Sequence, residues 1–410
     1  MTNIRRRVVS AAAAGAMLLS TAGPAFAAAT TIEISGNGAF TDNYATVEQE
    51  NETKVVQDND ANVVNKVNSS ADTGNNDAKF NTGGDVTVKT GAAETKTDIS
   101  NVLNTNSAEV DCCDQGDTNV KIQDNGAFSD NIVALEKKTE TKVYQDNYAN
   151  VYNDVDANAN TGGNDANLNT GGDVTIMTGK AKTDTSISTL ANVNSAVVSS
   201  GPGSSNPSAS FVISGNGAFS DNFIAAELEK ETKISQDNSA HISNKVDANA
   251  NSGYNDADFN TGGDVVIDTG AATVLATVDN AVNFNHADVD CGCVWDVLAK
   301  IADNGAKSDS TIAAALESEQ EFYQDNYSRL YNDVEGDAKT GKNDANLNTG
   351  ESDGDPSITT GAALSDTIIE NSGNVNSVGS ALPYEWPEHT SNVEFSFNFA
   401  ALMAFFGMSV

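Results

Sequence analysis

The feature that most limits what this chain can fold into is a repeat that keeps its register along most of its length. Asn-Gly-Ala begins at Asn37, Asn125, Asn216 and Asn304, in steps of 88, 91 and 88 residues. Gln-Asp-Asn begins at Gln57, Gln145, Gln236 and Gln324, and Asn-Thr-Gly at Asn81, Asn169, Asn260 and Asn348, with the same three steps. Repetition at a fixed period marks units that cannot bury a core alone and must stack on their neighbours. The markers divide the chain into unit 1 (28–119), unit 2 (120–210), unit 3 (211–298) and unit 4 (299–380), with a separate tail at 381–410. The three extra residues of the middle step fit the loop-like GPGSSNP at 201–207. Units two and four share YQDNY, YNDV and NDANLNTG, whereas units one and three share ISGNGAF, NKV and a cysteine position. The chain therefore reads as a duplicated pair of units.

A finer period lies within each unit. Asn37, Asn59, Asn81 and Asn106 each open an Asn-x-Ala or Asn-x-Gly sequence, and the steps on to Asn125 are 22, 22, 25 and 19. Read as turns, these make four coils of about 22 residues per unit. Sixteen such coils at about 4.8 Å each give a rod near 75 Å long. Between the markers, side chains alternate with period two, which is the strand signature. Val55, Gln57, Asn59, Ala61, Val63, Asn65 and Val67 share one face. Val133, Leu135, Thr139, Thr141 and Val143 oppose Glu136, Lys138, Glu140 and Lys142. In the third unit, Leu228, Thr232 and Ile234 oppose Glu227, Glu229, Glu231 and Lys233, so that stretch is expected as strand rather than helix.

The expected fold is an all-β, β-helix-like solenoid. A formal net charge of −36 and 6% aromatic residues would ordinarily indicate disorder. Stacked coils remove that difficulty, because their core is thin and Asn and Gln side chains satisfy one another along the stack. Four independent small β-domains are the alternative, but only 201–207 reads as a linker.

The segment Val55-Val56-Gln57-Asp58-Asn59-Asp60-Ala61, repeated around Gln145, Gln236 and Gln324, resembles curlin repeats, the strand–turn–strand units of secreted bacterial amyloid fibres. The resemblance covers about a quarter of each unit closely. It implies that Gln57, Asn59 and Ala61 face inward as ladders, with Gln145, Asn147, Gln236, Asn238, Gln324 and Asn326. NTGGDV, the acidic charge and the 88-residue superunit depart from that pattern. The likeness therefore bears on coil architecture more than on polymerisation.

Arg5–Arg7, the apolar stretch from Val8 to Leu19 and Ala25-Phe26-Ala27 form the three parts of a secretory signal peptide (1–27), so a mature chain is expected from Ala28. The acidic charge excludes nucleic acid as a natural partner. His241, His286 and His389 stand in non-equivalent surroundings, and no catalytic motif accompanies them, so no enzyme activity and no required cofactor are expected. A D-x3-N-x3-D pattern recurs as Asp77, Asn81, Asp85; Asp165, Asn169, Asp173; and Asp256, Asn260, Asp264, with a broken copy at Asp344 and Asn348. Such oxygen-rich turns suit calcium; Asx-turns, in which these side chains bond their own backbone, are the alternative.

Cys112 and Cys291 occupy equivalent places, next to Cys113 and near Cys293, and an exported protein would hold them oxidised. With 22-residue coils the pairs lie roughly 38 Å apart. That distance restricts disulfides to local or interchain pairing. The tail contains VEFSFNFAALMAFFGMSV, expected as an apolar cap or a docking segment and too short to span a bilayer as a helix. Together these features predict a secreted, non-enzymatic structural or adhesive protein of a bacterial cell surface or extracellular matrix. Fibre formation, self-association and association with other matrix components stay open. A calcium-binding surface-layer or matrix protein is the alternative, and a polysaccharide-active β-helix enzyme a distant one.

Overall fold

The structure, a computed structural model, describes residues 29–111, 116–199, 208–290, 296–350 and 356–379. All regular elements among them are strands. The first layer holds β1 (Thr30–Ser35), β2 (Asp42–Asp72), β3 (Val86–Lys89) and β4 (Ala93–Asp111). The second holds β5 (Thr118–Gln123), β6 (Asp130–Asn160), β7 (Val174–Met177) and β8 (Ala181–Ser199). The third holds β9 (Ser208–Ser214), β10 (Asp221–Asn251), β11 (Val265–Asp268) and β12 (Ala272–Asp290). The fourth holds β13 (Asp296–Ala302), β14 (Asp309–Lys339), β15 (Ser357–Thr359) and β16 (Ala363–Val378). The second, third and fourth layers therefore begin two or three residues before the unit boundaries drawn from the motifs.

Equivalent strands pair in parallel, giving four four-stranded sheets whose strands follow layer order. Gln57 pairs with Gln145, Gln145 with Gln236, and Gln236 with Gln324. The stacking step is thus the 88- or 91-residue unit, and the expected 22-residue coil is corrected. Four layers replace sixteen, so first and last strands lie three spacings apart, roughly 14 Å, in place of a 75 Å rod. The long axis instead runs along the strands, because a strand of 31 residues extends about 100 Å.

The 22-residue rhythm nevertheless has a physical source. Asn37 and Asn81 lie in bends, whereas Asn59 and Asn106 lie inside β2 and β4 and face each other. The four markers divide one circuit of the chain into two bends and two strand midpoints.

Within a layer, the long strand runs opposite two shorter ones. Val133 and Leu135 of β6 join the cluster that holds Val120 and Ile122 of β5. Farther along β6, Val143 clusters with Ala196 and Val198 of β8, and Val155 and Ala157 with Ala181 and Ile187. A separate cluster of Ala166, Val174 and Ile176 fills the far bend. Leu228, Thr232 and Ile234 are buried along β10, as their alternation predicts.

A kink recurs in every layer of the β4–β8–β12–β16 sheet. Asn104, Asn192, Asn283 and Asn374 take left-handed backbone conformations, with φ between 53° and 62°, which asparagine tolerates better than most residues. These residues drop out of the pairing register. The inward positions accordingly change parity, from Thr97 and Asn101 before the kink to Asn106 and Ala108 after it.

Close stacking also dictates glycine. A Cβ on Gly162 would lie 1.9 Å from the carbonyl oxygen of Gly253 in the next layer. Gly162→Ala should therefore cost about 1–3 kcal/mol of stability, as overpacking does. Gly91→Ala, where a Cβ meets nothing within 4 Å, should be nearly neutral. Denaturant unfolding of the two variants checks this; equal stability would contradict the layer contact.

Candidate functional site

The largest organised set of polar side chains is a double column of asparagines through the middle of the molecule. Asn59 Nδ2 donates to Asn147 Oδ1, Asn147 to Asn238 and Asn238 to Asn326, each at 3.0 Å. Facing them, Asn106 donates to Asn194, Asn194 to Asn285 and Asn285 to Asn376, also at 3.0 Å. The columns are cross-linked within each layer, as by Asn59 to Asn106 at 2.6 Å and Asn147 to Asn194 at 2.7 Å. Asn147, Asn194, Asn238 and Asn285 each have an identical amide one layer below and one above. That geometry arises because parallel in-register pairing places like on like every 4.7–4.9 Å.

Beside this column, Gln324 Nε2 donates to Gln236, Gln236 to Gln145 and Gln145 to Gln57, at 2.7, 2.8 and 2.7 Å. Their remaining N–H groups reach backbone carbonyls across the core, including Ser195 from Gln145 at 2.9 Å. Ala61 is partly buried, and its counterparts Ala149 and Ala240 are fully buried.

Reading the sequence for ladders missed several further columns. Asn65, Asn153, Asn244 and Asn332 form one, and Asn76, Asn164, Asn255 and Asn343 another. The kink residues Asn104, Asn192, Asn283 and Asn374 form a third. All three recur at the unit step, the signal that could have found them.

Acidic side chains occupy columns of their own. Asp58, Asp146, Asp237 and Asp325 are in register, as are Asp77, Asp165, Asp256 and Asp344. Asp146 and Asp237 are exposed, yet partial dehydration between flanking layers, and then the charge of neighbouring aspartates, raises both carboxyls above their ordinary range. Glu140 behaves oppositely. Lys142 and Lys138 hydrogen-bond to it and hold it down at about 2. It faces outward as expected, but it is buried beneath those lysines.

The D-x3-N-x3-D residues contribute to separate columns. Asp165 accepts from Lys79 at 2.8 Å. Asn81 donates to Asn169 at 2.9 Å and Asn169 to Asn260 at 3.1 Å. Asp85 and Asp173 accept the backbone N–H of Asp173 and Asp264 at 3.0 and 2.9 Å. Asn81, Asn169, Asp85 and Asp173 therefore bond a neighbouring layer, whereas Asp77 meets Lys79 of its own turn at 3.3 Å. Among the described residues, no group of three or more His, Cys, Asp or Glu side chains is placed to hold a metal ion.

Two lysines are buried at positions that carry no repeating signal. Lys137 replaces the Gln49 of its column, and its Nζ reaches the Gly116 carbonyl and Thr118 Oγ1 at 3.3 and 3.4 Å. Lys230 Nζ finds no hydrogen-bond partner among the described residues. Burial lowers the pKa of both. His286 is buried 3.4 Å from Ser377 Oγ, and burial lowers its pKa. His241 lies edge-on between Tyr148 and Tyr327.

Cys112, Cys113, Cys291, Cys293, His389, the leader, the 201–207 loop, the insertion around Asp353 and the 381–410 tail lie outside the described residues. The 38 Å separation expected for the cysteine pairs rested on 22-residue coils and falls with them. Asp111 and Asp290 pair with the two sides of Ser199, two strand spacings or roughly 9.6 Å apart. No family model, curated protein or solved structure matches the chain.

Asn147→Leu keeps the volume but strands the amides of Asn59, Asn106, Asn194 and Asn238, each at about 1–3 kcal/mol if left unsatisfied. A large fall in melting temperature is expected, against little change for Asn150→Leu on the outer face. Equal melting would refute the ladder's role.

Stability should also depend on pH in two opposed ways. The raised carboxyls of Asp146 and Asp237 favour the protonated native state. Their contribution is complete below about pH 3.8 and is lost as pH rises through their higher folded values. The contribution of Glu140 is complete above about pH 4.5 and is lost as pH falls towards 2. Asp237→Asn should therefore raise the melting temperature at pH 7 and lose that advantage below pH 3.8. An advantage independent of pH would contradict the carboxylate column.

Proposed function

We propose that the chain is a β-solenoid of four roughly 88-residue coils that serves as a secreted, non-enzymatic structural or adhesive element of a bacterial cell surface or extracellular matrix. The observation that carries this reading is the cross-linked double column of eight asparagines. Amides that could recognise a ligand are instead committed to holding one layer against the next. The curlin-like strand pattern and the signal-peptide pattern support placement outside the cell.

A calcium-gathering matrix protein is the second reading, favoured by the stacked aspartates. Adjacent carboxylates at one strand spacing repel by about 0.9 kcal/mol in water before salt screening. Cations along such columns would relieve that repulsion without a coordination cage.

Antibody labelling of intact cells and their extracellular fraction, with small-angle scattering of the purified protein, tests the first reading. Surface or matrix labelling and a longest dimension near 100 Å are expected; cytosolic protein or a compact sphere would reject it. Melting with millimolar calcium, compared with sodium at matched ionic strength, tests the second. A gain specific to calcium supports it, and equal gains reduce it to charge screening.

A further inference from the structure

Among the described residues, the first and fourth layers each leave one face open, and both faces retain features that a single copy does not use. Inside the stack, glycine is imposed from the adjacent layer. A Cβ on Gly74, Gly162 or Gly253 would lie 2.0, 1.9 or 2.0 Å from the glycine carbonyl oxygen of the layer above. The last member of that column, Gly341, meets nothing within 4 Å. A second column points the other way. A Cβ on Gly179 or Gly270 would lie 2.3 or 2.2 Å from the glycine oxygen of the layer below, whereas Gly91, on the first layer, meets nothing. Gly38 completes a third such column and is likewise open, below Gly126, Gly217 and Gly305. Gly38, Gly91 and Gly341 all have backbones outside the left-handed region. Neither space nor conformation within one copy demands glycine at these three places.

The hydrogen-bond ladders supply an independent observation, because they have a direction. The inward asparagine columns donate from lower to higher layers, as from Asn37 to Asn125, Asn216 and Asn304, although the outer Asn150 and Asn251 donate downward. Glutamines donate from higher to lower. The first layer thus presents the open carbonyl oxygens of Asn37 and Asn59 where the fourth presents the amides of Asn304 and Asn326. Gln324 Oε1 on the fourth layer correspondingly stands where Gln57 would donate from the first. Like faces brought together would oppose donor to donor or acceptor to acceptor.

Charge order agrees. Lys66, Asp154, Lys245 and Asp333 alternate up one column, so the position after Asp333 calls for lysine. In the same register Glu321 meets Lys54 and Lys339 meets Asp72. Against these, Glu317, Glu319, Asp309, Asp325 and Asp344 would meet Glu50, Glu52, Asp42, Asp58 and Asp77, oppositions that salt screens and that the aspartate columns already carry between internal layers. The alternating likeness of units, one with three and two with four, also continues only if unit 1 follows unit 4.

We infer that copies of this chain stack head to tail, the fourth layer of one seating on the first layer of the next in the parallel register of the internal sheets. This rests on the structural reading above and identifies the partner as a second copy. Such a contact is heterologous and grows without closing. It covers the two long edge strands, β2 and β14, whose unpaired backbone groups invite another chain.

The test uses purified protein at about 0.15 M salt, with Gly341→Leu blocking the fourth-layer face and Gly91→Leu the first-layer face. Gly341→Ala and Gly38→Leu repeat each block independently. The unsubstituted protein should form particles that lengthen with concentration by sedimentation and electron microscopy. Each variant alone should remain a single copy with unchanged melting. Mixed one to one, Gly341→Leu and Gly91→Leu proteins should form pairs and stop there, since each retains the face the other lost. Pairs from Gly341→Leu alone, or either variant growing like the unsubstituted protein, would overturn the polarity. A variant melting well below the parent would contradict the open faces from which the inference starts. Folded, surface-located protein that stays a single copy at every concentration would overturn stacking while leaving the structural reading intact.

Discussion

Parallel in-register stacking of whole units is the constraint on which everything else depends. Once residue i lies one strand spacing from its equivalent 88 or 91 positions on, each side chain is surrounded above and below by its own kind. The consequence differs by chemistry. An asparagine can donate to one neighbour and accept from the other, so a column of identical amides is satisfied along its length. Aromatic rings stack, as Phe40, Phe128 and Phe219 do with centroids 5.0 Å apart. Aspartates are the unfavourable case, because identical charges cannot satisfy one another. The same repetition that makes amides cohesive concentrates the negative charge.

This explains how a chain with few large apolar residues holds a defined shape. The core between facing sheets is narrow and built largely from Val, Ile and Ala, as around Val155, Ala157, Ala181 and Ile187. Polar columns interrupt it without leaving most of their amides unpaired. Some inward hydroxyls remain unbonded, including those of Thr183 and Thr185; a methyl group on each lets threonine sit in such a core at modest cost. Variation is concentrated where columns break identity, as at Gln49, Lys137, Leu228 and Leu316.

The strand character, the repeat register and the inward position of Gln57, Asn59 and their counterparts were legible because period-two alternation and motif spacing report them directly. The stacking period was not. Asn59 and Asn106 carry the same local signature as the bend residues Asn37 and Asn81, yet they lie at strand midpoints facing each other. Local sequence cannot distinguish an asparagine that turns the chain from one that bonds across a core. The kink at Asn104 was hidden for a related reason. A left-handed residue inside a strand changes which side chains face inward, and alternation counted through it fails. Lys137 and Lys230 were illegible because lysine at a single layer gives no column to read.

The central claim is that whole units, rather than 22-residue coils, stack on one another. Asn62, Asn150, His241 and Arg329 form one outward column through the four layers. Nitroxides carried by non-natural residues at Asn62 and Arg329, with the labelled chain diluted into unlabelled protein, report the distance by dipolar spectroscopy. Unit-on-unit stacking predicts backbones three spacings apart, roughly 14 Å. A stack of 22-residue coils would place twelve coils between them, roughly 58 Å, and a distance in that range would contradict the account.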